Sequence, residues 1–162
     1  MHILHGRQGQ MDTAFCYFFT DTIQGFKHLL ANDEFKMTCI NSLKFLKDKG
    51  LITIYGYVIM PNHIHLLWMM NELNSKESPA GSFAKFTAHQ FQKQLRSSNP
   101  ELLLQYISDK KDRSYQFWKR DPLAIPVTSK QALLQKLDYI HNNPVQEKWQ
   151  LADMLEDRKS VV

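Results

Sequence analysis

Apolar positions along this chain recur with two periods, and the switches between them mark out its elements. The aromatic run Ala14-Phe15-Cys16-Tyr17-Phe18-Phe19-Thr20 reads as a first strand. Residues 21–31 leave either a loop or one helical turn, with Phe26, Leu29 and Leu30 as the apolar positions. Asn32 or Asp33 can cap a helix to about Lys47: Phe35, Cys39, Ile40, Leu43 and Leu46 fall on one side of it, and Gly50 ends it. Residues 51–60 and 63–70 are apolar on both faces and are split by a Pro61-Asn62 turn, the pattern of strands in the middle of a covered sheet. Residues 71–82 are polar, carry turn chemistry and read as a linker.

A second helix is predicted from Phe83 to Arg96, with Phe83, Ala84, Ala88, Phe91 and Leu95 as its core stripe. Residues 97–113 carry a weak pattern. Pro122 and Pro126 confine residues 121–127 to a short edge strand. Thr128 or Ser129 caps a last helix, which runs to about Asn143 and stops before Pro144. Residues 1–12 form an irregular arm. Residues 145–162 form a tail in which Trp149, Leu151, Met154 and Leu155 can pack back as a short helix. No internal repeat is visible, and 162 residues fit a single domain spanning 1–162 with a sizeable core.

Composition narrows the class only slightly. A hydrophobic content of 43% and a charged content of 22% are ordinary for a globular protein. No apolar run approaches a membrane span, and Met1 to Arg7 has no signal-peptide core. Cys16 and Cys39 form no CxxC pair and read as small buried hydrophobes in a reducing compartment, so the cytoplasm is the expected location. A net charge of +4 and a pI of about 9.0 suit an acidic partner such as nucleic acid without requiring one. An aromatic content of 12% is rich enough for some rings to stack on bases.

The chemistry begins at His63-Ile64-His65, at the start of the third strand. Side chains alternate along an extended chain, so His63 and His65 share a face roughly 6–7 Å apart and can converge on one divalent ion. Two histidines satisfied by hydrogen bonds on a sheet face would give the same pattern. The last helix supplies a context. Leu133, Leu134, Leu137 and Ile140 form its apolar stripe, while Tyr139 and Asn143 lie one turn apart, off that stripe, with Lys136 near them. His141 sits at the stripe's edge as a packing or hydrogen-bonding residue, and Asn142 is one position round the helix from Asn143. A tyrosine phenol can attack a phosphodiester and conserve its bond energy in a covalent intermediate. A free phenol ionises near pH 10, so a divalent ion held by two histidines and an amide oxygen would help it by stabilising developing charge.

Cations accompany these residues. Lys85, His89, Lys93 and Arg96 cluster on the side of the second helix away from its stripe, beside Phe86; that side suits a DNA backbone or is a solvated helix face. In Tyr115-Gln116-Phe117-Trp118-Lys119-Arg120, aromatics mix with cations, fit for either a core edge or nucleic acid.

Tyr57-Val58-Ile59-Met60-Pro61-Asn62-His63-Ile64-His65-Leu66-Leu67-Trp68 resembles the His-hydrophobic-His signature of the HUH single-tyrosine transposases. Asp138-Tyr139-Ile140-His141-Asn142-Asn143-Pro144-Val145 resembles the nucleophile segment of their REP-associated subgroup, and Phe117-Trp118-Lys119-Arg120 falls in the matching place between. The resemblance spans about Phe15 to Trp149. It implies an α+β, ferredoxin-like (RRM-like) domain with an antiparallel sheet of about four to five strands and helices packed on it. It further implies metal-dependent cleavage and rejoining of single-stranded DNA, guided by a hairpin, through a 5′-phosphotyrosine and a free 3′-hydroxyl. On the matching positions, His63, His65 and Asn143 would hold Mg²⁺ or Mn²⁺ and Tyr139 would be the nucleophile. Two imidazoles favour Mn²⁺ for tight binding. Lys85, His89, Lys93, Arg96, Lys119, Arg120 and Lys136 are the candidate DNA contacts. A homodimer is compatible with the family, with the tyrosine helix serving its own or the partner's site.

The chain departs from the family at two points. Glu156 to Val162 stands where members carry an aromatic- and serine-rich segment, and Asp121-Pro122-Leu123-Ala124 replaces an aspartate-histidine pair. The first departure motivates a second reading, a non-catalytic binder of DNA hairpins. A His-x-His zinc hydrolase is a third, but no Asp or Glu stands in a spacing that would complete such a site.

Overall fold

The computed structural model of the chain describes residues 11–146, with side chains through Asn142. The chain runs β1 (Cys16–Thr22), α1 (Asp33–Asp48), β2 (Ile52–Ile59), β3 (His63–Met70), α2 (Pro79–Ser98), α3 (Pro100–Leu104), β4 (Leu123–Pro126) and α4 (Lys130–Gln146). Single 3₁₀ turns at Gln24–Phe26 and Leu29–Ala31 join β1 to α1. The strands form one sheet in the order β2-β3-β1-β4, every neighbouring pair antiparallel. This is the ferredoxin-like order for a chain of β1-α1-β2-β3-α2-β4 connectivity, with α4 added.

Local signals set the ends of these elements. Asn32 caps α1 by accepting from the Glu34 N–H at 2.8 Å, and Gly50 closes the helix at φ 76°. The Pro61-Asn62 turn is held from outside: the Ile23 and Leu30 N–H groups donate to the Asn62 and Pro61 carbonyls at 2.8 and 2.9 Å. The chain after β1 thereby fixes where β3 begins.

Alternation divides β3 between two layers. Ile64, Leu66, Trp68 and Met70 enter the main core, with Phe35, Cys39, Leu43 and Leu46 of α1 and Phe83, Phe91 and Leu95 of α2. Leu67 points the other way, into a smaller cluster with Phe18, Val58 and Ile140, against which Leu133 and Leu137 pack. A bulge between Ile54 and Gly56 switches the phase of β2, so Ile52 and Ile54 share the main core with Tyr57 and Ile59. Gly56 also admits α4: a Cβ there would lie 3.3 Å from Leu137 Cδ2 and 3.6 Å from Ile140 Cγ2.

Several expectations need correction. β2 lies at a sheet edge, not in its middle; helices on both faces bury its side chains without a second neighbouring strand. The predicted linker ends early, because Ser78 caps α2 at Gly81 and Pro79 occupies its first turn. α4 runs past Pro144 to Gln146, since a proline near a helix end removes one hydrogen bond without ending the helix. Leu134 is 51% exposed and leaves the apolar stripe to Leu133, Leu137 and Ile140. The first strand lies two residues further on than expected, and the weak stretch contains α3, capped by Asn99. Phe117 and Trp118 are core residues, whereas Lys119 and Arg120 are exposed. Cys39 is buried and Cys16 half-buried, both as free thiols. The proposed helix of the tail, with Trp149, Leu151, Met154 and Leu155, lies outside the described residues.

Candidate metal and nucleophile site

His63 and His65 open β3, a strand paired on both sides, and both face α4. Their ring centroids lie 4.7 Å apart at an interplanar angle of 72°. Each ring has a partner at Nδ1. His63 Nδ1 lies 2.6 Å from Asn62 Oδ1, and because an amide oxygen only accepts, Nδ1 carries the hydrogen there. His65 Nδ1 lies 2.8 Å from Thr20 Oγ1, which the register places directly across from it on β1. The Thr20 hydroxyl can donate to His65 Nδ1 or accept from it, so the contact fixes the orientation of that ring, as a neighbouring group commonly does for a metal-binding imidazole.

Burial, then the charges of His63 and Lys136, lower the His65 pKa to about 4. The ring is therefore neutral at physiological pH, the form that binds a metal.

Tyr139 projects from α4 over this pair. Its ring centroid is 5.5 Å from that of His65 and 5.9 Å from that of Phe18, both edge-on. Phe18 in turn stacks on His65 at 5.0 Å and 24°, which clamps the imidazole between β1 and α4. Tyr139 remains 49% exposed, at the solvent edge of the contact between α4 and the sheet. Lys136, one turn earlier, places Nζ 4.5 Å from the Phe18 ring and brings a positive charge to the same rim. Asn143 lies one turn beyond Tyr139 on α4, and its side chain is outside the described ones. No group of three His, Cys, Asp or Glu side chains suited to a metal occurs among the described residues. The donors in view are thus the two imidazoles, a ligand type that suits a divalent transition-metal ion, with their ring centroids 4.7 Å apart.

The structure sorts the predicted cations into three places. Lys136 joins the histidines. Lys85, Lys119 and Arg120 line a groove on the opposite face of the sheet. His89, Lys93 and Arg96 lie on α2, at neither location. Sequence reasoning missed Phe18, Thr20 and the second role of Asn62. Asn62 adjoins His63 and was legible as a neighbour. Thr20 and Phe18 become visible only through the β1–β3 register.

An antiparallel sheet in ferredoxin-like order, with helices packed on both faces, defines an α+β domain. No protein-family model and no curated protein matches the chain. Among solved structures, it is similar to a REP-associated tyrosine transposase bound to a REP hairpin, with a TM-score of 0.58 and 17% identity over 92% of this chain and 76% of that one. At this identity the likeness establishes a shared fold. Among the described residues, no helix is long and apolar enough to cross a membrane.

Proposed function

We propose that this chain cuts and rejoins single-stranded DNA through Tyr139, with His63, His65 and Asn143 holding a divalent ion, Mg²⁺ or Mn²⁺. The observation that carries this reading is the Tyr139 ring 5.5 Å from His65, whose own ring is 4.7 Å from His63. A nucleophile and two ligands so placed share one small, solvent-open rim. The Tyr139 phenol oxygen bonds to phosphorus as its proton passes to water. The bond from phosphorus to the 3′-oxygen breaks, and that oxygen takes up a proton to leave as a 3′-hydroxyl. Attack by a second 3′-hydroxyl on the 5′-phosphotyrosine restores the phenol and joins a new strand, so no nucleotide cofactor is consumed. The ion, when bound, would polarise the scissile phosphate and offset its developing charge.

Around that chemistry, the chain's own side chains orient and hold. Thr20 and Asn62 hold the two imidazoles at Nδ1, Phe18 stacks on His65, and Lys136 brings a positive charge that would draw the backbone of the strand to the rim. The fold shared with a hairpin-bound transposase supports a folded, hairpin-bearing strand as substrate. α4 lies over the sheet of its own chain, which supports Tyr139 serving the histidines of the same subunit.

Incubation with hairpin-containing single-stranded oligonucleotides and Mn²⁺ tests this. A denaturant-resistant protein–DNA adduct is expected, reduced on the order of 10³-fold or more in Tyr139→Phe. Binding without an adduct, retained in His63→Ala/His65→Ala, would point instead to a non-catalytic hairpin binder.

A further inference from the structure

The turn after β1 holds an aromatic ring out in water. Phe26 is 60% exposed, more than any other phenylalanine, tyrosine or tryptophan among the described residues, and it belongs to neither apolar cluster. Its backbone sits at φ 55°, next to Gly25 at φ 69°. The left-handed region is unfavourable for a bulky side chain and persists only where the surroundings impose it. Here they do. The Ile23 N–H donates to the Asn62 carbonyl at 2.8 Å, the Gln24 N–H to the Phe117 carbonyl at 2.7 Å, and the Phe26 N–H back to the Ile23 carbonyl at 2.9 Å. The Lys119 N–H donates to the Thr22 carbonyl at 2.7 Å. The turn is thus clamped between the Pro61-Asn62 turn and residues 117–119, and the ring is presented in a fixed place.

Cations surround it. Lys119 places Nζ 4.5 Å from the ring centroid, and both Lys119 and Arg120 are exposed. Phe26 also forms one wall of a hollow of about 420 Å³, together with Lys27, His28 and Tyr106. Lys27 is engaged elsewhere, donating to the Gln105 carbonyl at 3.1 Å. Arg120 pairs with Asp112 at 3.1 Å, an exposed pair weak enough to exchange onto a phosphate. An open ring face among cations complements a base and its phosphate better than it does an apolar protein surface. The ring also lies near the histidines. Thr22 stands across from His63 in the sheet, and the chain from Thr22 to Phe26 spans at most about 14 Å even when fully extended. One strand can therefore touch both places.

We propose that Phe26 is a stacking platform for one unpaired base of a single DNA strand, with the Lys119 ammonium moving from the ring to that nucleotide's phosphate. This rests on the DNA reading above and adds a positioning residue outside the reacting groups. An exposed cation–π contact is weaker than the stacking of a base on an aromatic face, so the exchange favours the bound strand. Every base has a π-face, so the platform holds the strand without reading its sequence.

The test uses the full chain, with metal chelated so that no strand is cut. The probe is a hairpin oligonucleotide whose unpaired flanks carry the fluorescent base 2-aminopurine at one position at a time. Stacking on Phe26 is expected to change the fluorescence at one flank position and not at its neighbours. In Phe26→Leu, apolar but without a π-face, that response should vanish and affinity should fall by about 5- to 150-fold. Phe26→Tyr should restore both. Phe26→Gly, which suits the left-handed backbone, should bind as weakly as Phe26→Leu while unfolding at or above the wild-type midpoint. Lys119→Ala should flatten the slope of log affinity against log salt by about 0.7, the share of one phosphate on a single strand. Fluorescence and affinity unchanged in Phe26→Leu would overturn the platform and leave the ring to a protein partner or a second copy. A destabilised Phe26→Gly that still binds as wild type would overturn it too, by making the ring structural. No binding of the strand by the wild type overturns it together with the DNA reading. When Mn²⁺ is restored, an adduct at Tyr139 with no response at Phe26 sinks the platform alone, and a Phe26-dependent response without an adduct sinks the cleavage reading alone.

Discussion

The two faces of this sheet are built to different standards. Under α1 and α2, Trp68, Phe83, Phe91, Phe117 and Trp118 pack into one continuous aromatic core. Under α4, the buried apolar residues among the described ones are Phe18, Val58, Leu67 and Ile140, and the rest of that face holds the buried His65, the half-buried His63 and Thr20, and the half-exposed Tyr139. One face supplies most of the stability, which leaves the other able to carry polar, water-facing side chains at little risk to the fold. The arrangement puts the proposed metal ligands on a rigid central strand, while the proposed nucleophile rides on a helix packed on a smaller apolar cluster.

The sharpest way to break this contrast is to remove the histidines. His63→Ala/His65→Ala should abolish Mn²⁺-dependent adduct formation, a loss on the order of 10³-fold or more, yet leave the melting transition cooperative. A variant that unfolds would show that the α4 face also holds the domain together. Next in size, Phe91→Ala should cost about 3–5 kcal/mol in denaturant unfolding, whereas Leu133→Ala, at the half-buried edge of the smaller cluster, should cost less than about 2 kcal/mol. Equal costs would erase the distinction between faces.

Acid should act through the α4 face. The folded His65 pKa, about 4, lies below the ordinary value near 6.5. The unfolded chain thus takes up this proton first as pH falls. The stability tied to the neutral ring is fully present above about pH 6.5 and is lost between there and about pH 4, a change on the order of 3 kcal/mol. Urea titrations of the chain and of His65→Gln across that window should diverge by this amount, and parallel curves would refute the burial of a neutral imidazole. Asp21 acts in the opposite sense. Its folded pKa of about 8 means the stability of its protonated form is lost as pH rises from about 4 to 8, so Asp21→Asn, titrated alongside His65→Gln, separates the faces.

The smallest effect expected is at Thr20→Val, which keeps the side-chain shape and removes the partner of His65 Nδ1. Metal affinity should fall by about 10- to 100-fold with little change in stability. Isothermal titration with Mn²⁺ measures it, and unchanged affinity would mean that packing against Phe18 alone orients the ring.

Much of this was legible because the decisive features are local. The Pro61-Asn62 turn and the apolar run after it place β3 at His63–Met70, and alternation then puts both histidines on one face. Helical spacing sets Tyr139 apart from Leu133, Leu137 and Ile140. What escaped depends on partners distant in sequence. β2 reads as central because helices cover both its faces, and only strand pairing reveals an edge. Thr20 looks like the polar end of an aromatic strand until the register sets it across from His65. Asp21 falls in a stretch without clear period, and nothing near it in sequence announces a groove whose other wall lies about a hundred residues later.

The central claim is that the α4 face holds a metal-dependent tyrosine nucleophile, and mass spectrometry of the covalent adduct tests it most directly. After reaction with a hairpin-bearing oligonucleotide, proteolysis should yield a peptide carrying a 5′-phosphodeoxynucleotide on Tyr139, formed with Mn²⁺ and not with chelator. The linkage on any other residue, or the same yield from His63→Ala/His65→Ala, would contradict it.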